Sequence, residues 1–463
     1  MLTHMLSSIR RPRSGAPALQ PLPGPHPRYP GQLFVTLVQD KLGYFAAMAR
    51  CGDVSETWVG PQRIVLLNHP EDIRRVLVTE QRKFSKGRAI ERTKLLLGEG
   101  LLTNEGPSHL RQRRLVQPGL HRERLAGYAR VMTDYTARAL DRWSDGALVD
   151  LHEEMMHLTL TIAGRTFFDV DVEEAREVAE ALDLSLRLFR YSVLPFGTLL
   201  EYAPVPWIRQ LHRARRQVNA LIARMIAERR RDGGDRGDLL SMLLAAQDTE
   251  GDDQGMSDRQ LRDEIVTLLL AGHETTANAL TWTCYLLAQH PEVAARLEAE
   301  VDAVVGARTP SAEDVPRLLY TRDVIAEGMR LFPPAWIVER YTREDFEAGS
   351  YRIPAGTIVY TSQYLVHRDP RWWPAPNRFV PERWADGPAA ATRPKFAYFP
   401  FGGGTRICVG EHFAWLEATL VLAAIVQRWR MTHEDPLPPE PEALVTLRPR
   451  GGLRLRLERR GRS

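Results

Sequence analysis

The stretch FGGGTRICVG, Phe401 to Gly410, delivers one cysteine from a glycine-rich loop just ahead of an apolar helical run. A sulfur set among backbone N–H groups at the start of a helix has its anion favoured, and a thiolate is a metal ligand. The plainer alternative is a turn around a small buried side chain. The other cysteines, Cys51 beside a turn and Cys284 in an apolar run, read as packing residues. Three scattered cysteines are too few for a disulfide framework, and no C-x-x-C or Cys/His cluster points to structural zinc. A reducing cytoplasm is expected.

A second group is Ala271-Gly272-His273-Glu274-Thr275-Thr276, inside an otherwise apolar helix. The small pair would let a flat group or O₂ approach the backbone, and an acid beside a hydroxyl in such a helix needs a reason to be there. One reason is local: threonines can bond back to carbonyls a turn earlier while the acid meets an arginine. Zinc chemistry of the H-E-x-x-H kind fails because Ala277 stands where the second histidine is required. The glycine run fails G-x-G-x-x-G at Ile407. Glu327 and Arg330 sit at i and i+3 on one helix face, and Pro381-Glu382-Arg383-Trp384 supplies another arginine. A surface pair of that kind is worth little.

The elements that must position these groups are mostly helical. A helix starts after Ser257, whose hydroxyl can cap DRQL, and runs to about His290. Its middle is apolar nearly all round, so it should cross the core. Helical spacing also covers Ser108 to about Arg230, PEVAARLEAEVDAVVG, DVIAEGMRLF and GEHFAWLEATLVLAAIVQRW. A hairpin near 57 to 69, a short helix over 70–79, short strands in YRIPAGTIVYTSQY and a C-terminal hairpin in VTLRPRGGLRLRLE make a minor β part. The fold class is mainly α with a small β region. At 463 residues, with 44% hydrophobic and 26% charged residues, the chain has ordinary globular chemistry. The balance of 62 Lys+Arg against 58 Asp+Glu gives +4, too little to argue for nucleic acid. The proline-rich segment 1–30 has no apolar run long enough for a signal peptide or membrane anchor. Residues 31–460 are expected to form a single catalytic domain.

Four motifs, A-G-x-E-T-T, E-x-x-R, P-E-R-W and F-x-x-G-x-R-x-C-x-G, occur here in the order found in the cytochrome P450 family. The sequence resembles its soluble bacterial members over roughly residues 20 to 460. The resemblance implies haem b held between the long helix and the cysteine helix, with Cys408 as iron ligand donating electron density. Phe401, Arg406 and Gly410 complete the cysteine loop. Ala271 lies against the haem, Thr275 at the oxygen-binding position and Glu274 in the proton path. Glu327, Arg330 and Arg383 become a structural network that locks the cysteine loop.

Haem propionates need cationic partners. His109 and Arg113 match the family's W/H-x-x-x-R pattern, and Arg406 and Arg340 are further candidates. Leu96, Leu97, Leu268, Ala335, Trp336, Ile337 and Val338 match substrate-facing positions, with ordinary core packing as the alternative. If they line the site, the substrate is hydrophobic: terpenoid, fatty acid or another secondary metabolite.

The implied activity is monooxygenation with O₂. Electrons would come from a separate ferredoxin or flavodoxin, met by a basic cluster of Arg111, Arg114, Arg122 and Arg124. The alternatives are a peroxide-driven hydroxylase and a non-catalytic haem-binding sensor.

Overall fold

A helix apolar on every side is stable only when buried on every side, and Asp258–Gln289, 32 residues and about 48 Å long, is the axis of this molecule. Ser257 starts it with a capping box: its hydroxyl accepts from the Gln260 N–H, and the Gln260 side chain accepts from the Ser257 N–H at 2.9 Å. Around this central helix pack Leu151–Ala163, Leu319–Leu331 (the E-x-x-R helix) and Glu411–Arg428 (the cysteine helix). Their apolar faces form one continuous core. The computed structural model describes residues 21–170, 206–249, 251, 254–385 and 392–461.

Among the described residues the β part has twelve short strands: β1 Val54–Val59, β2 Gln62–Leu67, β3 Phe84–Lys86, β4 Leu148–Asp150, β5 Val338–Thr342, β6 Phe346–Ala348, β7 Tyr351–Ile353, β8 Ile358–Thr361, β9 Trp429–Thr432, β10 Pro441–Ala443, β11 Leu447–Pro449 and β12 Arg454–Arg459. The main sheet has the order β1-β2-β8-β5-β3, with β2 and β8 parallel. It carries two smaller cores of its own.

The predicted hairpin at 57–69 is β1–β2, beginning at Val54. The helix expected from Pro70 is α-helical to Arg74 and continues as a wider turn to Thr79. Helices Gly106–Val116, Arg122–Asp141, Leu151–Ala163 and Pro206–Asp232 fill the helical stretch read from Ser108 onward, apart from its portion at 171–205, outside the described residues. The C-terminal tail is not the hairpin expected. β11 pairs with β10, and β12 pairs with β4 and β9. Gly451 and Gly452, at φ +75° and +88°, turn the chain between β11 and β12 onto separate partners. Residues 1–20 of the proline-rich segment lie outside the described residues. Further on, Leu22 is buried and the Pro23 carbonyl accepts from the Glu56 N–H at 2.8 Å. Among the described residues no helix is long and apolar enough to cross a membrane.

Candidate active site

The loop before Cys408 is closed by its own backbone. The Cys408 N–H donates to the Phe401 carbonyl at 3.0 Å, and Arg113 Nη1 donates to the Ile407 carbonyl at 2.7 Å. Gly404 is required: its φ is +69°, and a Cβ there would stand 2.0 Å from the Leu77 carbonyl oxygen. The Phe401 ring packs 6.0 Å from Trp415 of the cysteine helix. The Cys408 side chain is exposed, yet enough protein surrounds its sulfur that burial pushes the thiol up to about 11. The side chain is thus accessible at its surface while protein crowds around it. The Gly410 N–H and the Arg113 charge pull the other way and lose to burial. Loop geometry alone does not make the thiolate; a metal's own charge must.

The E-x-x-R pair is no surface pair. Glu327 and Arg330 are fully buried and bidentate, with Nε–Oε2 and Nη2–Oε1 both 2.8 Å. Glu327 also accepts from Arg383 Nε at 3.2 Å, the Val380 N–H at 3.0 Å and Trp384 Nε1 at 3.1 Å. Arg330 spends its remaining donors on the carbonyls of His367, Pro376 and Arg378. His367 Nε2 then accepts from the Phe399 N–H at 3.0 Å, just before the cysteine loop. Burial holds this histidine well below its ordinary pKa, so it can serve as a neutral acceptor. His367 escaped the sequence reading because nothing in its local spacing marks it, whereas Trp384 is read there as part of P-E-R-W without a role of its own.

A cluster of cations gathers on one side of the cysteine loop. Lys86 and Arg340 are direct cross-strand partners in the β3–β5 register, an arrangement that like charges disfavour. Burial and the nearby Arg406 lower Lys86 to about 7 and Arg340 to about 10. Burial with Lys86, Arg406 and Arg113 lowers His109 to about 4. Glu105 accepts from Arg406 at 3.1 Å and Arg343 at 2.9 Å, and Arg406 Nη1 is buried with no hydrogen-bond partner. Crowded cations with an idle donor suit further carboxylates. His109, Arg113, Arg340 and Arg406 thus fit two haem propionates, and Lys86 joins them unforeseen. Arg406→Met should speed haem transfer to apomyoglobin about tenfold, the scale of one charged hydrogen bond; an unchanged transfer rate would remove Arg406 from this set.

On the central helix, Ala271 is exposed within a run of buried residues. Gly272 does not serve close approach of a ligand, because a Cβ there would meet the Phe167 ring at 2.8 Å. Its role is helix packing. Thr275 Oγ1 donates to the Ala271 carbonyl at 2.8 Å, the local alternative read from sequence. Among the described residues Glu274 meets no arginine: Oε1 accepts from the Thr446 hydroxyl at 2.5 Å. His273 is buried with Nδ1 2.6 Å from the Leu269 carbonyl.

The expected pocket lining divides. Leu97, Leu268 and Trp336 are buried in the core clusters, Trp336 against Phe45 with Nε1 donating to the Leu444 carbonyl at 3.1 Å. These three pack within the apolar core, as the alternative reading allows. Ala335, Ile337 and Val338 are half-buried. Leu96 lies on the helix Arg88–Leu97, its side chain outside the described residues. The basic cluster is largely neutralised: Arg114 and Arg111 reach Asp248 at 2.6 and 3.8 Å, and Arg124 reaches Asp235 at 3.4 Å. The Arg122 side chain is outside the described residues.

The cysteine loop, the buried Glu-Arg network, the clustered cations and the exposed Ala271 of the central helix occur together in one fold. The chain belongs to the cytochrome P450 family, whose family model, described as Cytochrome P450, matches residues 21–455. Its activity is that of a monooxygenase, with haem as cofactor. It is 41% identical over 422 residues to Cyclooctatin synthase of Streptomyces melanosporofaciens, covering 89% of this chain and 91% of that protein. It is 38% identical over 393 residues to Cyclooctat-9-en-7-ol 5-monooxygenase of the same organism, with 84% and 85% covered. The solved haem domain of cytochrome P450DA matches with a TM-score of 0.85 at 26% identity, covering 96% of this chain and 99% of that one.

Proposed function

We propose that this enzyme hydroxylates a cyclic terpenoid hydrocarbon or alcohol in the cytoplasm, taking electrons from a separate ferredoxin or flavodoxin. The observation that carries the substrate class is the 38% identity, across most of both chains, to an enzyme named for cyclooctat-9-en-7-ol. Half-buried Ala335, Ile337 and Val338, with the exposed Ala271, give such a molecule apolar contacts.

Haem, when bound through Cys408, supplies the oxygen chemistry. His109, Arg113, Arg340 and Arg406 hold its propionates and keep the cofactor in register with the central helix. The Thr275 hydroxyl, turned from the Ala271 carbonyl, holds a proton at Oγ1 beside the reacting face. The Glu274 carboxyl renews that proton from solvent.

The direct test supplies a ferredoxin system, O₂ and a panel of cyclic terpene alcohols, terpene hydrocarbons and fatty acids, and reads the ferric Soret shift and the product. Tighter binding and faster oxidation of the fatty acids would sink the substrate class. Thr275→Ala should keep haem but lower the fraction of electrons reaching product roughly tenfold, the rest leaving as peroxide. Equal coupling in mutant and wild type would remove that role.

A further inference from the structure

Glu274 is fixed by a residue 172 positions away in sequence. We infer, building on the proton role proposed for Glu274, that Thr446 is a positioning residue for the reaction, setting where the Glu274 carboxylate stands through the tip of the β10–β11 hairpin.

The contacts run in one direction. Asn278 Nδ2 donates to the Glu274 carbonyl at 2.9 Å and to Thr446 Oγ1 at 3.2 Å, and the Thr446 hydroxyl donates to Glu274 Oε1 at 2.5 Å. Amide, hydroxyl and carboxylate form a chain whose donors all point toward the acid. At 2.5 Å the Thr446–Glu274 contact lies at the short end of the O–H···O range. Asn278 Oδ1 is meanwhile buried without a partner among the described residues. The amide gives its donors to this chain and leaves its own acceptor idle, which space-filling alone would not require.

The hairpin tip is itself held. The Leu444 N–H donates to the Thr446 carbonyl at 3.0 Å and the Leu447 N–H to the Pro334 carbonyl at 3.0 Å. Two indoles clamp either side: Trp336 Nε1 donates to the Leu444 carbonyl and Trp282 Nε1 to the Leu447 carbonyl, each at 3.1 Å. Thr446 is only 5% exposed, so its hydroxyl is preset; Val445 beside it is 55% exposed. The Thr446 hydroxyl joins the hairpin to the central helix, while Pro334 and Trp336, after the E-x-x-R helix, hold the hairpin through the Leu447 N–H and the Leu444 carbonyl. A misplacement of about 1 Å at such a point is enough to cost turnover.

The test compares Thr446→Val, Thr446→Ser and Glu274→Gln in the holoenzyme with its redox partners and substrate. Thr446→Val keeps the shape and deletes the donor. It should lower the coupling of electrons to product about threefold, with substrate affinity from the Soret shift within about twofold of wild type, and Thr446→Ser should restore coupling. Independently of turnover, the carboxylate stretching band that Glu274→Gln removes from the infrared spectrum should shift in Thr446→Val and stay in place in Thr446→Ser. If Thr446→Val fails to hold haem, Thr446→Ala carries the same comparison. Uncoupling by Glu274→Gln with wild-type coupling and an unmoved band in the valine variant overturns the inference. Full coupling in Glu274→Gln overturns instead the proton role of Glu274, and the band shift then decides the positioning by itself.

Discussion

Cys408→Ser should give a haem-containing protein whose reduced carbon monoxide adduct has lost the absorption characteristic of sulfur ligation and whose hydroxylase activity has fallen at least about a thousandfold. The substitution is close to isosteric. It leaves the Cys408 N–H to Phe401 bond and the Arg113 to Ile407 bond to hold the loop. It also leaves the cations around Arg406 to hold the propionates. What goes is a soft, electron-donating ligand, since a serine hydroxyl is far harder to ionise than a thiol. Burial already pushes the thiol up to about 11, and a bound iron would supply the positive charge that favours the thiolate at Cys408. A serine hydroxyl would hold its proton more firmly still. Cys51→Ser is the control, because Cys51 is half-buried and its Sγ donates to the Ala47 carbonyl at 3.4 Å, a bond a serine hydroxyl can keep. A serine variant at 408 with the wild-type spectrum would remove the sulfur–iron bond on which the assignment stands.

Glu327→Ala should abolish haem incorporation without touching the haem. The carboxylate receives five hydrogen bonds, from Arg330 twice, Arg383, Val380 and Trp384. Its removal leaves the Arg330 guanidinium, fully buried, without its counter-charge. Breaking a buried pair by deleting one partner costs about 3–5 kcal/mol. Net stabilities are only about 5–15 kcal/mol, so the loss is a large part of what keeps the domain folded.

Replacing both partners by apolar residues often relieves this cost, but not at this site. Arg330 also satisfies the carbonyls of His367, Pro376 and Arg378, and these would be orphaned in Glu327→Leu/Arg330→Met. The double variant should fail as well. Haem content per polypeptide and the thermal midpoint measure both variants. A Glu327→Ala protein that purifies with full haem and an unchanged midpoint would show that the network does not lock the loop.

Much of this site was legible in the sequence because its marks are local. Within ten residues the cysteine loop carries its ligand, its turn glycine and its arginine. The i, i+3 spacing of Glu327 and Arg330 and the Ser257 cap likewise depend only on neighbours along a helix. Burial was not legible at that range. It turned the E-x-x-R pair from a weak surface contact into a fully enclosed one, and it raised the Cys408 thiol where helix-end reasoning lowers it. It also placed Leu97, Leu268 and Trp336 in the core.

By itself the sequence determined which side chains could ligate, pair or carry protons, and in what order along a mainly helical chain they come. The tertiary structure alone decided their partners: Thr446 for Glu274, His367 for the Phe399 N–H, Lys86 opposite Arg340, Phe167 against Gly272, and β12 between β4 and β9. The reason is physical. Interactions within one helical turn follow from backbone geometry, whereas contacts across 172 residues exist only once the cores have packed and fixed which faces meet.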